Sequence, residues 1–376
     1  MDPELFVSPS SPIGYPAPYW FLVSFKVLGF VLHSIPMSLW YTGLLLALVM
    51  YSSKSEMGKF MAVRFVKQLP IIIALGINLG IVPLLFLQVV YYRVFYPATI
   101  LMAWPWFSII PLLTIAYYCV YFFSSGFKGN GSSISRLQYK AGWISSIFFI
   151  IIGFLFASTY SFMTNIGAWK RLWEKTSVAG APLGIVHHIT DPTLFPRWLL
   201  FLGLALTTTA VYLVIDSVFF VSKENENYKR WIQNFAFKIY TAGALWFALM
   251  GSWYVFGAWP VELRQKMFHG EFFILTILTG LSVGLPWLLL LIMNKKQISR
   301  TFAVLLGTAQ FGVIGINAIS RQVVQNLELS KYLDVTAESV NTQWSPLILF
   351  LVLFVAGLGV IYWMVRQALR ESSNPI

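Results

Sequence analysis

The sequence has little charge for its length, and acidic residues are especially scarce. Only 11% of the 376 residues are charged, with 14 Asp and Glu against 26 Lys and Arg. A soluble domain usually carries roughly 25% charged residues, so this chain lacks the polar surface that a water-soluble globule of its size needs. The shortage excludes an ordinary soluble enzyme and favours a membrane protein.

Cysteine is almost absent as well, since Cys119 is the only one in the sequence. A single thiol excludes a disulfide framework, and it excludes a cysteine-based zinc, iron–sulfur or covalent haem site. Basic residues are in excess, but most lie in short segments between apolar runs, and no basic helix with stacking aromatics indicates nucleic acid as a partner. We therefore expect no nucleic-acid function.

Long apolar segments are what the sequence has in abundance, with 58% hydrophobic residues. A helical span needs about 20 mostly apolar residues. Applying that length predicts an all-α, polytopic membrane helix bundle with about nine transmembrane helices. The predicted spans cover residues 19–51, 69–92, 98–124, 141–163, 198–221, 236–258, 272–293, 301–319 and 346–365.

The segments outside the spans are short, which predicts one transmembrane domain over residues 19–369. We expect the proline-rich residues 1–18 to form an extended arm on the outer surface, and residues 370–376 to form a short cytoplasmic tail. Most Lys and Arg fall in alternate loops, between spans 1–2, 3–4, 5–6 and 7–8, and in the tail. The positive-inside rule then puts the N-terminus outside and the C-terminus in the cytoplasm.

Polar side chains within the predicted spans are candidate functional groups, because polarity at membrane depth is costly. For the amides, interhelical hydrogen bonding is the first interpretation. These amides are Asn78, Gln88, Gln310 and Asn317. Lys26 lies near a span end, so we expect its ammonium to reach the membrane interface. Asp216 is expected to pair with a cation of a loop, and a proton relay is the alternative.

The four histidines all fall in the outer half of the predicted bundle or in its outer loops. His33 lies within span 1, His187 and His188 precede span 5, and His269 precedes span 7. Histidine is the usual haem ligand of membrane cytochromes, so these residues are candidates to hold one or two b-type haems. For the three loop histidines, interfacial hydrogen bonding is the alternative.

Three stretches of the sequence resemble subunit I of the cytochrome bd quinol oxidases. HSIPMSLWYTGLLLALV at 33–49 is similar to the family's pattern of His, Pro and Gly-Leu-Leu, and GINLGIVPLLFLQVVYY at 76–92 is similar to the start of its second span. INAISRQVVQN at 316–326 resembles the E-x-G-R-Q-P-W signature, with Arg321 and Gln322 at the Arg-Gln pair. The resemblance implies nine spans, an outside N-terminus and haems near the outer face.

The sequence also departs from the family's pattern. Ala318 stands where the signature has its acidic residue, span 3 has no acidic residue, and span 5 has no histidine. The loop between spans 6 and 7 is too short for the family's long quinol-binding loop. Reduction of dioxygen needs an open haem position and a proton donor, so we do not expect this chain to reduce oxygen itself.

The resemblance implies a multi-pass subunit of a respiratory electron-transfer complex in the bacterial cytoplasmic (inner) membrane. It would exchange electrons between the quinone pool and an outer-face partner, a multihaem c-type cytochrome or an iron–sulfur protein, through haem b held by His33. Other membrane subunits and lipid would surround it. Gln88, Arg321 and Gln322 are candidates for a polar quinone cleft. The alternatives are a haem-free scaffold or anchor subunit of such a complex and, third, a solute transporter with proline-broken helices.

Overall fold

The computed structural model of the protein describes residues 6–127, 134–221, 225–293 and 298–373, without the side chains of 365 and 368–373. Within these residues, nine helical segments are long and apolar enough to cross a membrane, which confirms the predicted all-α polytopic bundle. Of the predicted arm and tail, residues 1–5 and 374–376 lie outside the described residues.

The described chain consists of α-helices, one short 3₁₀ helix (Ile166–Ala168) and one small β-hairpin. Two π-helical turns, Leu39–Gly43 and Trp253–Ala258, directly follow the α-helices that end at Ser38 and Ser252. The helices are α1 (Tyr19–Ser38), α2 (Leu44–Tyr51), α3 (Glu56–Val90), α4 (Tyr92–Leu101), α5 (Ala103–Ser125), α6 (Arg136–Thr164), α7 (Trp169–Thr176), α8 (Leu194–Phe220), α9 (Glu226–Ser252), α10 (Val261–Phe268), α11 (Phe273–Leu281), α12 (Gly284–Met293), α13 (Arg300–Leu329) and α14 (Trp344–Ser373); the strands are β1 (Ser177–Val178) and β2 (Ala181–Pro182).

Three of the membrane helices extend ten or more residues beyond one end of their predicted spans. The helix α3 begins at Glu56 instead of residue 69, and α9 begins at Glu226 instead of residue 236. The helix α13 runs to Leu329, ten residues beyond the predicted end at 319. Charged residues next to an apolar run suggested loops, but a helix continues past the apolar run wherever its polar side chains find partners.

Glycine allows α8 and α9 to pack backbone against backbone. A Cβ atom added at Gly203 would lie 2.8 Å from the backbone nitrogen of Phe247, and one added at Gly243 would lie 3.0 Å from the carbonyl oxygen of Gly203. Small residues at such crossings are typical of membrane helix pairs, where close packing replaces the hydrophobic effect as the driving force. This contact places the start of α8 beside the end of α9.

The arm before α1 is tied to the loop between α13 and α14. The Tyr15 backbone nitrogen donates to the Ser339 carbonyl at 2.7 Å, and the Asn341 nitrogen donates to the Tyr15 carbonyl at 2.9 Å. Gly14 has a φ of +63°, and a Cβ atom there would lie 2.2 Å from the Ser339 oxygen, so glycine is required at this position. The arm thus covers the end of the bundle at which α1 begins, here called the N-terminal end.

A buried ion pair joins α3 to α8 at the opposite end of the bundle. Arg64 donates to Asp216 from Nε at 2.5 Å and from Nη2 at 2.9 Å, and Gln68 Nε2 donates to Asp216 at 2.9 Å. Tyr212 donates its hydroxyl to Gln68, which fixes the amide. Asp216 was expected to pair with a cation of a loop; it pairs with a cation, but Arg64 lies within α3 because that helix begins at Glu56.

Candidate functional site

Two cavities lie side by side in the half of the bundle nearer the N-terminal end. The first, the His33 cavity, measures about 480 Å³ and is lined among others by Lys26, His33, Trp40, Gly80, Trp106 and Gln322. The second, the Glu328 cavity, measures about 450 Å³ and is lined among others by Tyr254, Trp259, Ile277, Gln325 and Glu328. Tyr160, Arg197 and Arg321 line both. Both volumes fall in the range of roughly 300–1,000 Å³ that small-molecule and cofactor sites occupy.

Each cavity borders one of the two π-helical turns. The turn Leu39–Gly43 places Trp40 and Tyr41 on the wall of the His33 cavity. The turn Trp253–Ala258 places Tyr254 on the wall of the Glu328 cavity. A π turn adds a residue to a helix and so turns the side chains that follow it, which is why such turns are frequent at functional sites.

His33 presents one ring nitrogen with a free lone pair. Its Nδ1 lies 2.8 Å from the Gly76 carbonyl oxygen. A carbonyl oxygen can only accept, so Nδ1 carries the proton and Nε2 of the neutral ring keeps its lone pair. Gly80 makes room for the ring, since a Cβ atom there would lie 2.8 Å from both Cε1 and Nδ1 of His33. An Nδ1–H donated to a carbonyl is the usual second-shell arrangement of a metal-ligating histidine.

Two buried cations reach the His33 cavity without a carboxylate partner among the described residues. Lys26 donates its ammonium to Gln322 at 2.6 Å and to Gln325 at 2.7 Å, both amide oxygens. The guanidinium carbon of Arg321 lies 3.9 Å from the ring centroid of Tyr160 and 4.4 Å from that of Phe30. Buried charge is costly unless an opposite charge compensates it. The two cations together therefore favour an anionic group in the cavity.

The burial of Lys26 corrects the sequence prediction that its ammonium reaches the membrane interface. The side chain is buried inside the bundle, at 8% residual exposure. The reason is that α13 extends far enough to bring Gln322 and Gln325 to the same depth, where their oxygens replace the water that a lysine otherwise seeks.

The Glu328 cavity contains a buried ion pair that the sequence did not reveal. Arg197 Nη2 donates to Glu328 Oε1 at 2.6 Å, and Arg197 Nε donates to the Tyr254 hydroxyl at 3.1 Å. Arg321, Gln325 and Glu328 follow one another at spacings of four and three residues, so they share a face of α13. That polar stripe was the available signal, and it was missed because the eighth span was predicted to end at residue 319, before the stripe begins.

The other candidate histidines lie away from both cavities. His188 is buried next to Phe162, with its Nδ1 3.5 Å from the Asn165 amide nitrogen, and burial lowers its pKa. His187 and His269 are exposed at the surface. The structure therefore brings none of these three to His33, and their roles as haem ligands stay predictions. Within the described ranges, no group of three or more His, Cys, Asp and Glu side chains is arranged to hold a metal ion.

The three predicted quinone-cleft residues do not come together. Arg321 and Gln322 line the His33 cavity. Gln322 Nε2 donates to the Tyr91 hydroxyl, which fixes the amide whose oxygen Lys26 uses. Gln88 is not among the described residues that line either cavity, and its side chain accepts a long bond of 3.5 Å from the Tyr96 hydroxyl. Its place in a quinone cleft stays a prediction.

The fold and the two cavities define a polytopic helical membrane protein with space for ligands in one half of its bundle. The fold is similar to that of a solved structure of bd oxidase from Geobacillus thermodenitrificans, with a TM-score of 0.63 and 13% sequence identity, over 92% of this chain and 98% of that chain. No protein-family model matches the sequence, and no curated protein is significantly similar to it. At this identity the likeness shows a bd-oxidase-like fold, and the closer resemblance to subunit I stays a prediction.

Proposed function

We propose that this chain is a membrane subunit of a respiratory electron-transfer complex that exchanges electrons with the quinone pool through a b-type haem in the His33 cavity. One observation carries the proposal. A neutral histidine with a free Nε2 lines a cofactor-sized cavity that also holds two buried cations without carboxylate partners. The bd-oxidase-like fold supports it.

The residues of the His33 cavity match the chemical groups of a haem. His33 Nε2 is suited to ligate the iron, and Lys26 and Arg321 are suited to pair with the two carboxylates of the ring's edge. Trp40 and Trp106 supply apolar walls for the macrocycle. The haem, when bound, supplies a one-electron carrier. The protein contributes a fixed histidine tautomer, exclusion of water and positive charge, which together set the reduction potential.

Reduction of oxygen is not part of the proposal. Among the described residues, the side chains that line the His33 cavity include neither Asp nor Glu. An oxygen-reducing haem needs a proton donor within reach, and no carboxyl group among the described residues lines this cavity to serve as one. The observation supports a role in carrying electrons, as the position of Ala318 in the signature also indicates.

We further propose that the N-terminal end of the bundle faces outside and that an outer-face redox subunit docks there, in the bacterial cytoplasmic membrane. Multihaem c-type cytochromes and iron–sulfur proteins are the partner classes with suitable chemistry. The His33 cavity lies in the half of the bundle nearer this end, which shortens the path to such a partner. The prediction from basic loops supports the same orientation.

A haem-free anchor subunit is the second candidate, and α14 is the observation that favours it. No residue in the apolar window of α14 is buried, and its contacts with the bundle include those of Phe350 and Phe354 with Phe25. A span at the edge of the bundle is available to pack against other membrane subunits. A subunit can anchor its neighbours with or without a haem. The haem content of the purified protein therefore decides between the two candidates.

The proposal is tested by a reduced-minus-oxidised absorption spectrum of the purified protein. We expect an α-band of b-type haem, because His33 and the two cations provide ligand and counter-charges for it. Preparation in complex with its co-purifying subunits guards against loss of the cofactor during isolation. A flat spectrum from such an intact preparation would contradict the haem-binding role and leave the anchor.

A further inference from the structure

The end of the bundle opposite the N-terminal end carries more positive charge than its carboxylates neutralise. Three carboxylate side chains are described there, and each already pairs with a basic residue: Asp216 with Arg64, Glu56 with Lys59 and Glu226 with Arg230. Exposed basic residues without a carboxylate partner among the described residues remain, such as Lys54, Lys67, Lys140 and Lys238. This end of the protein therefore attracts anions.

Two of these lysines, Lys67 and Lys238, lie on neighbouring helices that run in the same direction. Both α3 and α9 begin at this end of the bundle. The rings of Phe60 on α3 and Tyr228 on α9 meet there, with their centroids 4.8 Å apart. Lys67 follows Phe60 by seven residues, and Lys238 follows Tyr228 by ten. At about 1.5 Å per residue, the lysines lie about 10 Å and about 15 Å beyond this ring contact, so their ammonium groups reach similar depths.

That depth corresponds to the layer of lipid headgroups. The apolar runs predicted for these two spans begin at residues 69 and 236, within two residues of Lys67 and Lys238. Exposed apolar side chains follow on each helix, since Ile71 is 72% exposed and Leu245 is 68% exposed. A lysine at the edge of an apolar run holds its ammonium among the headgroups and its stem along the acyl chains. Both ammonium groups are thus placed to meet a lipid phosphate.

A third cation and two aromatic rings lie beside the lysines. Arg64 precedes Lys67 by three residues, so the two side chains share a face of α3. Arg64 keeps 23% exposure, and its bonds within the buried ion pair use Nε and Nη2. Its Nη1 makes no hydrogen bond with the described residues and is left for an anion. On α9, the stacked rings of Trp231 and Phe235 precede Lys238, and such rings are typical of the membrane interface.

The positions of the two lysines distinguish this surface from ordinary basic loops. The positive-inside rule concerns Lys and Arg in loops, whereas Lys67 and Lys238 lie inside helices, eleven and twelve residues after α3 and α9 begin. The net charge of the headgroup also matters. A zwitterionic phospholipid brings its own cation next to the phosphate, so two unpaired lysines favour a lipid with net negative charge.

We propose that Lys67, Lys238 and the free Nη1 of Arg64 bind the phosphate of an anionic phospholipid, on the surface that they form where α3 meets α9. The acyl chains of this lipid lie along Ile71 and Leu245. The inference does not depend on haem or quinone, and it adds a lipid of defined charge to the components that the protein binds.

Native mass spectrometry of the full-length protein in detergent tests the proposal by titration with dioleoylphosphatidylglycerol and dioleoylphosphatidylcholine. The two lipids share the phosphodiester and the acyl chains, and they differ in net charge. We expect the first phosphatidylglycerol to bind about tenfold more tightly than the first phosphatidylcholine, because two unpaired lysines near the membrane surface attract it. Millimolar inorganic phosphate should not displace the lipid, since phosphate lacks the acyl chains. Equal binding of the two lipids would overturn the proposal, and so would displacement by phosphate, which would assign the site to a soluble anion.

Matched variants locate the binding. Lys67→Gln/Lys238→Gln should bring the affinities of the two lipids to within about twofold of each other, whereas Lys67→Arg/Lys238→Arg should keep the preference because it keeps the charge. Lys54→Gln/Lys140→Gln removes the same charge from the same end, at exposed residues outside α3 and α9, and should also keep the preference. An equal loss in both glutamine pairs would assign the preference to surface charge in general and overturn the proposal. The comparison of the two lipids on the unmodified protein decides even if a variant fails to fold.

Discussion

If the proposed b-type haem is bound in the His33 cavity, replacing His33 with alanine is expected to remove its absorption band from the purified protein. The substitution deletes the one histidine nitrogen that lines the His33 cavity with a free lone pair. Loss even of a second-shell partner typically costs 10–100-fold in metal affinity, so loss of the ligand itself should lower haem content by about tenfold or more. The measurement is the difference spectrum per mole of protein. Added imidazole should restore part of the band, because it fills the space that the side chain leaves.

A matched pair of glycine variants separates ligation from general disturbance. The methyl group of Gly80→Ala would meet the His33 ring at 2.8 Å and should displace it, so we expect a partial loss of haem. Gly312→Ala meets nothing within 4 Å and should keep the full band. His187→Ala, at an exposed residue, should also keep it. A full band in His33→Ala would show that the haem is held elsewhere.

Removing Asp216 is expected to destabilise the fold strongly. Asp216→Ala leaves the Arg64 guanidinium and the Gln68 amide without their acceptor at the junction of α3 and α8. Breaking a buried pair costs about 3–5 kcal/mol. Because Arg64 retains 23% exposure, the lower end applies, and we expect a loss of about 3 kcal/mol in the free energy of unfolding. Unfolding by a denaturing detergent measures it.

The exposed pair of Glu56 and Lys59 provides the control at the same end of the bundle. Its side chains are 83% and 42% exposed, so Glu56→Ala should change stability by less than about 1 kcal/mol. The double variant Arg64→Ala/Asp216→Ala should lose less free energy of unfolding than the two single variants lose together, because it leaves no unpaired charge. Equal stability of Asp216→Ala and Glu56→Ala would show that the buried pair contributes nothing.

The membrane architecture could be predicted from the sequence because the bilayer imposes one requirement on every span. A segment that crosses it must satisfy its own backbone hydrogen bonds, so a long apolar run is a helix whatever its neighbours are. The span 19–51 matches the structure at both ends. His33 could be singled out for the same reason, since a polar side chain inside a span is costly and therefore informative.

The cluster of polar side chains between the two cavities could not be predicted, because the side chains that pair there are far apart in the sequence. Lys26 is buried only because Gln322 and Gln325 lie beside it, and Arg197 is buried only because Glu328 pairs with it. A span was predicted to end where polar residues begin, whereas α13 continues through them. A hydropathy profile measures how strongly each segment prefers lipid to water. It carries no information on which polar groups meet inside the bundle.

Rapid mixing of the oxidised, purified protein with a short-chain hydroquinone tests the central claim most directly. If the chain exchanges electrons with quinone through a haem in the His33 cavity, the b-type α-band should appear on mixing, and it should be lost in His33→Ala. A protein that contains haem but stays oxidised in the presence of excess hydroquinone would contradict the account.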